Sequence, residues 1–321
     1  MDARQEQEWL TLRKTGIGGS DIAAICGYSV YRSPMDIFID KVGMDEERPD
    51  TESKRAGRYL EAGIADLFTA QTGLPLVKPS APGVFRHPVD PWRLATPDRL
   101  VQLNETEWAG LEIKLVGLPH AHDWGQTAEG IPNDALFQVH WYLGVFGVPI
   151  WFVMAQIGTA SRIYEVRSSP DFEDELVARG RVFWFDHVIP RLPPPLDAGA
   201  ATARYLALRY PQQLHADLLP ASAEAEEWAL RYREAEAQRA QAEGRKQEAR
   251  HHLQELIGAH AGLTGKDWRI YWQRNAASAV TDWRAITQEL GADEALIKQF
   301  TAMVPGARPF RAYFESKQKG D

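Results

Sequence analysis

The residues best suited to chemistry in this chain are Asp98, in Thr96-Pro97-Asp98, and the pair Glu112 and Lys114, in Leu111-Glu112-Ile113-Lys114. Side chains two apart on a strand share a face, so Glu112 and Lys114 point the same way. A hairpin returning through the polar segment Leu103–Glu107 sets Asp98 beside them. Two carboxylates and an ammonium on one face suit phosphodiester hydrolysis. The acids hold Mg2+, the metal activates a water and stabilises charge on phosphorus, and the lysine positions that water or screens the charge. Oxygen-only ligands favour a hard cation over zinc. The same trio also occurs on ordinary solvated strands, so its flanks matter. Leu111, Ile113 and Leu115 are expected to face a core, with Leu94-Ala95 and Leu100-Val101 as the equally buried partner strand. That arrangement puts the charges in a cleft at a sheet edge.

The elements around this trio follow from periodicity and punctuation. Trp9, Leu10 and Leu12 mark a short amphipathic helix, followed by the glycine-rich turn Gly16-Ile17-Gly18-Gly19-Ser20-Asp21 and an apolar helix from Ile22 that ends at Gly27. Ser33 caps another helix, with Pro34 in its first turn. Leu60, Ile64, Leu67 and Phe68 recur at helical spacing over residues 56–72, and Gly73 stops that helix. Strands are expected over 84–116, at 150–157 and at 163–166, with helices at 134–146 and from Ser169-Pro170 to about 188. Strands alternating with helices in this order predict an α/β chain of α+β type, a central mixed β-sheet flanked by helices.

Two further residues sit where those elements bring them close to the trio. Glu61 lies at the border of the buried stripe of the 56–72 helix; the alternative is a rim glutamate paired with Arg58. Gln138 lies among Phe137, Trp141 and Tyr142, where a polar amide needs a partner; the alternative is a satisfied core glutamine. His120 and His122 flank the loop 118–130 and read either as metal ligands or as surface residues; His251-His252 falls in a solvated helical stretch. A nucleotide-binding loop at Gly16–Gly19 is disfavoured, because no strand is expected before it and no Gly-Lys-Ser/Thr follows. Tyr28 and Tyr31 beside Arg32 are candidate DNA contacts, as are Lys54, Arg55 and Arg58.

Taken in order, Arg13, Gly16–Asp21, Gly57-Arg58-Tyr59-Leu60-Glu61, Thr96-Pro97-Asp98, Glu112-Ile113-Lys114 and Gln138-Val139-His140 resemble the PD-(D/E)xK nuclease superfamily. Within it, the chain is most similar to the lambda exonuclease or YqaJ-like phage recombinase branch, over about residues 8–190. The resemblance implies a restriction-endonuclease-like core and two Mg2+ per active site, with Mn2+ able to substitute. It implies that Asp98, Glu112 and the backbone carbonyl of Ile113 ligate metal, that Glu61 helps hold the second ion, and that Lys114 acts on the attacking water. It also implies a 5′-phosphate pocket of Arg13, Ser20, Thr96 and Gln138, a set of donors that suits a phosphate. A glycine-rich turn entering a helix would add backbone N–H groups. Two positions depart from the family: Arg99 stands where glycine is common, and His140 where a second glutamine is common.

The activity so implied is 5′-to-3′ digestion of linear double-stranded DNA, leaving 3′ single strands for recombination by annealing. The implied partners are DNA ends, two further copies of the chain in a trimeric ring, and a single-strand annealing protein. The alternatives are a structure-specific or single-strand endonuclease of the same superfamily, or a DNA-binding assembly module with an inactive site.

Bulk composition sets limits. At 321 residues, 44% hydrophobic and 25% charged, this is an ordinary globular chain. It has no apolar run long enough to cross a membrane. Its polar opening, Met1–Glu6, lacks the apolar stretch of a signal peptide, and the single Cys26 excludes an internal disulfide or cysteine cage. A reducing cytoplasm is the expected compartment. The net charge of −8 argues against a nucleic-acid partner only at face value. Binding depends on the local field, and the acids concentrate at 45–50 and 223–255. The expected organisation is a catalytic domain over 1–215, a long helix or helical hairpin broken near Gly244 over 216–262, and a small αβ unit over 263–321.

Overall fold

The computed structural model describes residues 3–44, 51–276, 278 and 280–301, without the side chains of Ala3, Ser53, Lys54 and Arg284. Two compact units divide the chain, Met1–Pro211 and Gln212–Asp321.

The first unit opens with α1 (Ala3–Arg13), β1 (Ile17–Gly18), α2 (Gly19–Ile25), α3 (Pro34–Lys41) and α4 (Glu52–Thr72). Then come β2 (Leu76–Val77), β3 (Phe85–Arg86), β4 (Arg93–Ala95), β5 (Arg99–Gln102) and β6 (Trp108–Val116). Helix α5 (Asn133–Phe146) leads to β7 (Ile150–Ile157), β8 (Ala160–Arg167), α6 (Pro170–Val182) and α7 (Ala200–Arg209). Local chemistry sets three ends as expected: the Ser33 side chain caps α3 by accepting from the Asp36 N–H, and left-handed Gly27 and Gly73 follow α2 and α4. A π-helical turn, Phe183–Val188, continues α6 to the expected end.

The main sheet runs β2-β5-β6-β7-β8, antiparallel except for the parallel pair β6–β7. A parallel pair needs a crossover, and α5 supplies it. The sheet is mixed and flanked by helices, as the element order predicts. Strand β7 is buried on both faces, which explains its unbroken apolar run. Trp151, Val153 and Ala155 join the core that contains α2, α3 and α5, while Phe152 and Met154 join a smaller core with Ile64 and Phe68 of α4.

Four expectations are corrected here. Strand β6 is the central strand of five, so the trio is not at a sheet edge. Leu94-Ala95 does not share a strand with Leu100-Val101: β4 belongs to a second sheet, β1-β4-β3, and Thr96-Pro97-Asp98 joins the two sheets. Leu60 and Leu67, assigned to the core stripe, are 50% and 37% exposed, because α4 meets the sheet along a narrow line through Ile64 and Phe68. Leu115, near the end of β6, is also exposed rather than in the core.

In the second unit, α8 (Ala223–Ile257) is one continuous 35-residue helix with no break at Gly244. Ion pairs such as Arg231–Glu227, one helical turn apart, line its surface. The hairpin β9 (Gly262–Thr264) and β10 (Arg269–Tyr271) follows, then α9 (Trp283–Glu289) and α10 (Glu294–Gln299), capped by Asp282 and Asp293.

Candidate active site

The joint between the two sheets and the middle of β6 bring Asp98, Glu112 and Lys114 together. The Asp98 carboxylate accepts the backbone N–H of Ile113 at 2.7 Å, which ties it to the strand carrying the other two. Lys114 Nζ donates to Glu112 Oε1 at 2.8 Å and to Gln138 Oε1 at 2.8 Å. Gln138 Nε2 in turn donates to Glu112 Oε1 at 2.8 Å. The amide expected to need a partner therefore bridges both ends of the Glu112–Lys114 pair.

Tyr142 extends the network and carries no assignment from the sequence. One turn after Gln138 on α5, its hydroxyl receives Gln138 Nε2 at 3.0 Å and donates to the Thr96 carbonyl at 3.3 Å. It also lies 3.2 Å from Thr96 Oγ1. Burial, then the nearby Glu112 charge, pushes its ionisation up, so it stays a neutral phenol.

Burial and the neighbouring Glu112 carboxylate raise the Asp98 pKa well above the ordinary range, with Glu61 adding to the effect. Burial alone would lower the Lys114 pKa, but Glu112 and then Asp98 outweigh it and hold the ammonium charged. Glu112 is 4% exposed, and its second oxygen, Oε2, is buried with no hydrogen-bond partner. A buried carboxylate oxygen with no partner, next to a second carboxyl group, offers oxygen donors that a divalent cation would satisfy. Hard oxygen donors of this kind fit magnesium.

Glu61 stands apart from this pair. Its Oε1 accepts from Arg99 Nη1, not from the expected alternative Arg58, and Arg99 Nη1 also donates to the Asp98 carbonyl. Among the described residues, no three His, Cys, Asp or Glu side chains converge as a metal cage.

The glycine-rich turn has its own architecture. Ile17 N–H donates to the Trp92 carbonyl at 2.7 Å, and β1 pairs parallel with β4. The two-residue β1 lies inside the glycine-rich turn itself, and the element before the turn is α1, so no strand precedes the turn among the described residues. A side chain at Gly16 would meet the Trp92 carbonyl oxygen at 2.2 Å, and one at Gly19 would meet Tyr142 at 2.5 Å and the Gln138 carbonyl at 2.9 Å. These two glycines let the turn lie against β4 on one side and α5 on the other. Gly19, the neighbour of Ser20, thus lies against Gln138 and Tyr142, and Tyr142 bonds to both Gln138 and Thr96. Arg13 Nη2 reaches Ser20 Oγ at 2.7 Å while its guanidinium stacks on Trp9. The turn's backbone donors are not all free, since Gly18 N–H is taken by Asp21 Oδ2 at 3.1 Å.

Asp21 is the anchor of this turn, and sequence reasoning gave it no role. It is fully buried, 2.7 Å from Lys41 Nζ and 3.3 Å from Arg32 Nη1. Burial would raise its pKa, but Lys41, Arg13 and Arg32 together hold it well below the carboxylate range. Lys41 Nζ also donates to the Arg13 carbonyl at 2.8 Å. No spacing rule links Asp21 to Lys41, so the pair carried no signal beyond a charged residue inside an apolar helix.

The remaining candidates fall elsewhere. Arg32 is engaged with Asp21 and Asp40, Arg55 and Arg58 are exposed on α4, and the Lys54 side chain lies outside the described residues. Tyr28 and Tyr31 are exposed, and Tyr28 also tilts against Phe137. His120 and His122 each lie 3.2 Å from Asp123 on an exposed turn, and His251 lies beside Gln247 on α8. His140 is buried 3.3 Å from Glu173 of α6, outside the hydrogen-bond network of Gln138.

Residues 8–149 match the family described as the YqaJ-like viral recombinase domain, a span that holds every motif residue named above. The uncharacterized protein YqaJ of Bacillus subtilis (strain 168) is 30% identical over 207 residues, covering 63% of this chain and 63% of that protein. The match therefore spans less than two thirds of the relative's length. Among solved structures, an alkaline exonuclease from Laribacter hongkongensis aligns at 15% identity, covering 58% of this chain and 94% of that one, with a TM-score of 0.48. A phage related exonuclease from Haemophilus somnus 129PT aligns at 11% identity, covering 55% and 96%, with a TM-score of 0.43.

Proposed function

We propose that this chain, a relative of the YqaJ-like viral recombinases, is a magnesium-dependent 5′-to-3′ exonuclease acting on linear double-stranded DNA. The observation that carries this reading is the Asp98–Glu112–Lys114 cluster with the partnerless Glu112 Oε2 at its centre. Bound Mg2+, or Mn2+ in its place, supplies a Lewis acid and a water made nucleophilic at neutral pH. Asp98, Glu112 and the Ile113 carbonyl hold the first ion, and Glu61 serves a second. Lys114, fixed by Glu112 and Gln138, presents its ammonium to the attacking water or to a phosphate oxygen. Gln138 orients both halves of that pair, and Tyr142 holds Gln138.

Arg13 and Ser20, with Thr96 and Gln138 across Gly19, form the 5′-phosphate pocket in this reading. A guanidinium, two hydroxyls and an amide supply charge-assisted and neutral donors to an anion. Cutting that starts from a 5′ end leaves a 3′ single strand, the substrate of a single-strand annealing protein in recombination. A trimeric ring around the duplex would keep a protein of net charge −8 on DNA by topology rather than by electrostatic grip. The cytoplasm is the compartment that fits such a partner.

The test compares linear duplex bearing 5′-phosphate, linear duplex bearing 5′-hydroxyl and covalently closed circular duplex, each with and without Mg2+. Rapid magnesium-dependent loss of the 5′-phosphorylated substrate alone is expected. Equal cutting of the circle would make the protein an endonuclease, and no cutting of any substrate would leave a binding module.

A further inference from the structure

Arg99 occupies the position where the resemblance leads one to expect glycine, and its surroundings give it a specific task. It lies at the start of β5, opposite Leu111 of β6, and its side chain is 7% exposed. A guanidinium so desolvated must be paired. Its partners are the Glu61 carboxylate and the carbonyl of Asp98, so one side chain links an acid on α4 to the backbone of the residue that heads the metal cluster. Glu61 is consequently engaged with a cation that belongs to the protein.

The charges argue in the same direction. Lys114 pairs with Glu112 and Arg99 pairs with Glu61, and among the described residues no ion pair is made by Asp98. The oxygen donors left over are the Asp98 carboxyl and Glu112 Oε2, which has no partner. One divalent cation satisfies them; a second must take Glu61 from Arg99. We propose that Arg99 is a positioning residue, a built-in cation that competes for Glu61 and makes the two metal sites unequal, one tight at Asp98 and Glu112 and one weak at Glu61. This rests on the metal-dependent reading above.

The proposal is tested by calorimetric titration of the full-length, metal-free protein with Mn2+ in the absence of DNA. The wild type should show one tight event and a second at least about tenfold weaker, a gap appropriate to a partly desolvated charge competitor. Arg99→Gln should tighten the second event about tenfold and leave the first in place. Arg99→Lys, which keeps the charge, should keep the wild-type gap. In a Glu61→Gln background the weak event should vanish, and Arg99→Gln should then change nothing. Glu61→Gln alone supplies a test that does not require any Arg99 variant to fold: the tight event persists and the weak one is lost. Equal affinities in the wild type, an Arg99→Gln isotherm like the wild type's, or the same Arg99 effect with and without Glu61 would each overturn the proposal. Failure of the parent reading looks different, since the tight event would then be absent or would survive Asp98→Asn, and both proposals would fall.

Discussion

At the scale of single residues, Asp98 carries the most information because its environment works against its charge. Its folded pKa is raised above the ordinary 3.8 by burial and by Glu112, so the fold prefers the protonated form. The associated stability is present at low pH and is lost as pH rises from the ordinary carboxylate range through the raised value. Lys114 is also raised, but from 10.5, so its contribution persists across that window. The melting temperature of the metal-free protein should therefore fall with rising pH in a way that Asp98→Asn removes, with the variant melting a few degrees higher at neutral pH. The same variant should no longer be stabilised by Mn2+. Removing Lys114 tests the chemistry itself: Lys114→Ala should lower the cleavage rate about a hundredfold or more while leaving DNA affinity intact, measured by single-turnover kinetics alongside equilibrium binding. Arg13→Ala should reduce the preference for 5′-phosphorylated over 5′-hydroxyl ends, and an equal loss on both would put the phosphate pocket elsewhere.

At the scale of elements, the close approach of the glycine-rich turn to α5 is the contact most sensitive to a single methyl group. Gly19→Ala forces a carbon to 2.5 Å from the Tyr142 ring and 2.9 Å from the Gln138 carbonyl. Overpacking of this kind costs about 1–3 kcal/mol and should appear in chemical denaturation as a lower midpoint with an unchanged slope. Loss of end preference should accompany it, because Ser20 moves with the turn. The longer elements were readable in advance. Helix α4 shows a helical period closed by Gly73, α3 shows a serine cap with proline behind it, and β7 shows a continuous apolar run. Glu112 and Lys114 could be placed on one face by their strand spacing, and Asp98 followed from the hairpin. The unreadable parts are short or distant. Strand β1 has two residues and pairs with a strand far along the chain, so nothing local marks it. The transfer from β4 to β5 between two sheets depends on which partners are available, not on apolar alternation. Glu61 meets Arg99 across 38 positions, and Asp21 meets Lys41 from a different helix, where no helical spacing applies.

At the scale of the whole molecule, the chain is two units with an irregular connection. Residues 210–222 are exposed and lie between α7 and α8, with Leu214 and Leu218 more than four-fifths exposed. Brief chymotrypsin treatment should cut first after one of these leucines and release an N-terminal fragment that keeps its own cooperative melt, followed by gel analysis and circular dichroism. If cleavage instead began inside 1–211, the first unit would be less self-sufficient than its core implies. Helix α8 has a practical consequence for anyone counting subunits. At about 1.5 Å per residue, its 35 residues make a rod about 52 Å long, several times longer than it is wide. Two labels at Glu224 and Glu255 of one copy would stand about 46 Å apart along it, so a second, different separation in a labelled sample comes from another copy. Scattering or mass photometry, which weigh the particle directly, are the measurements that can tell one copy from three.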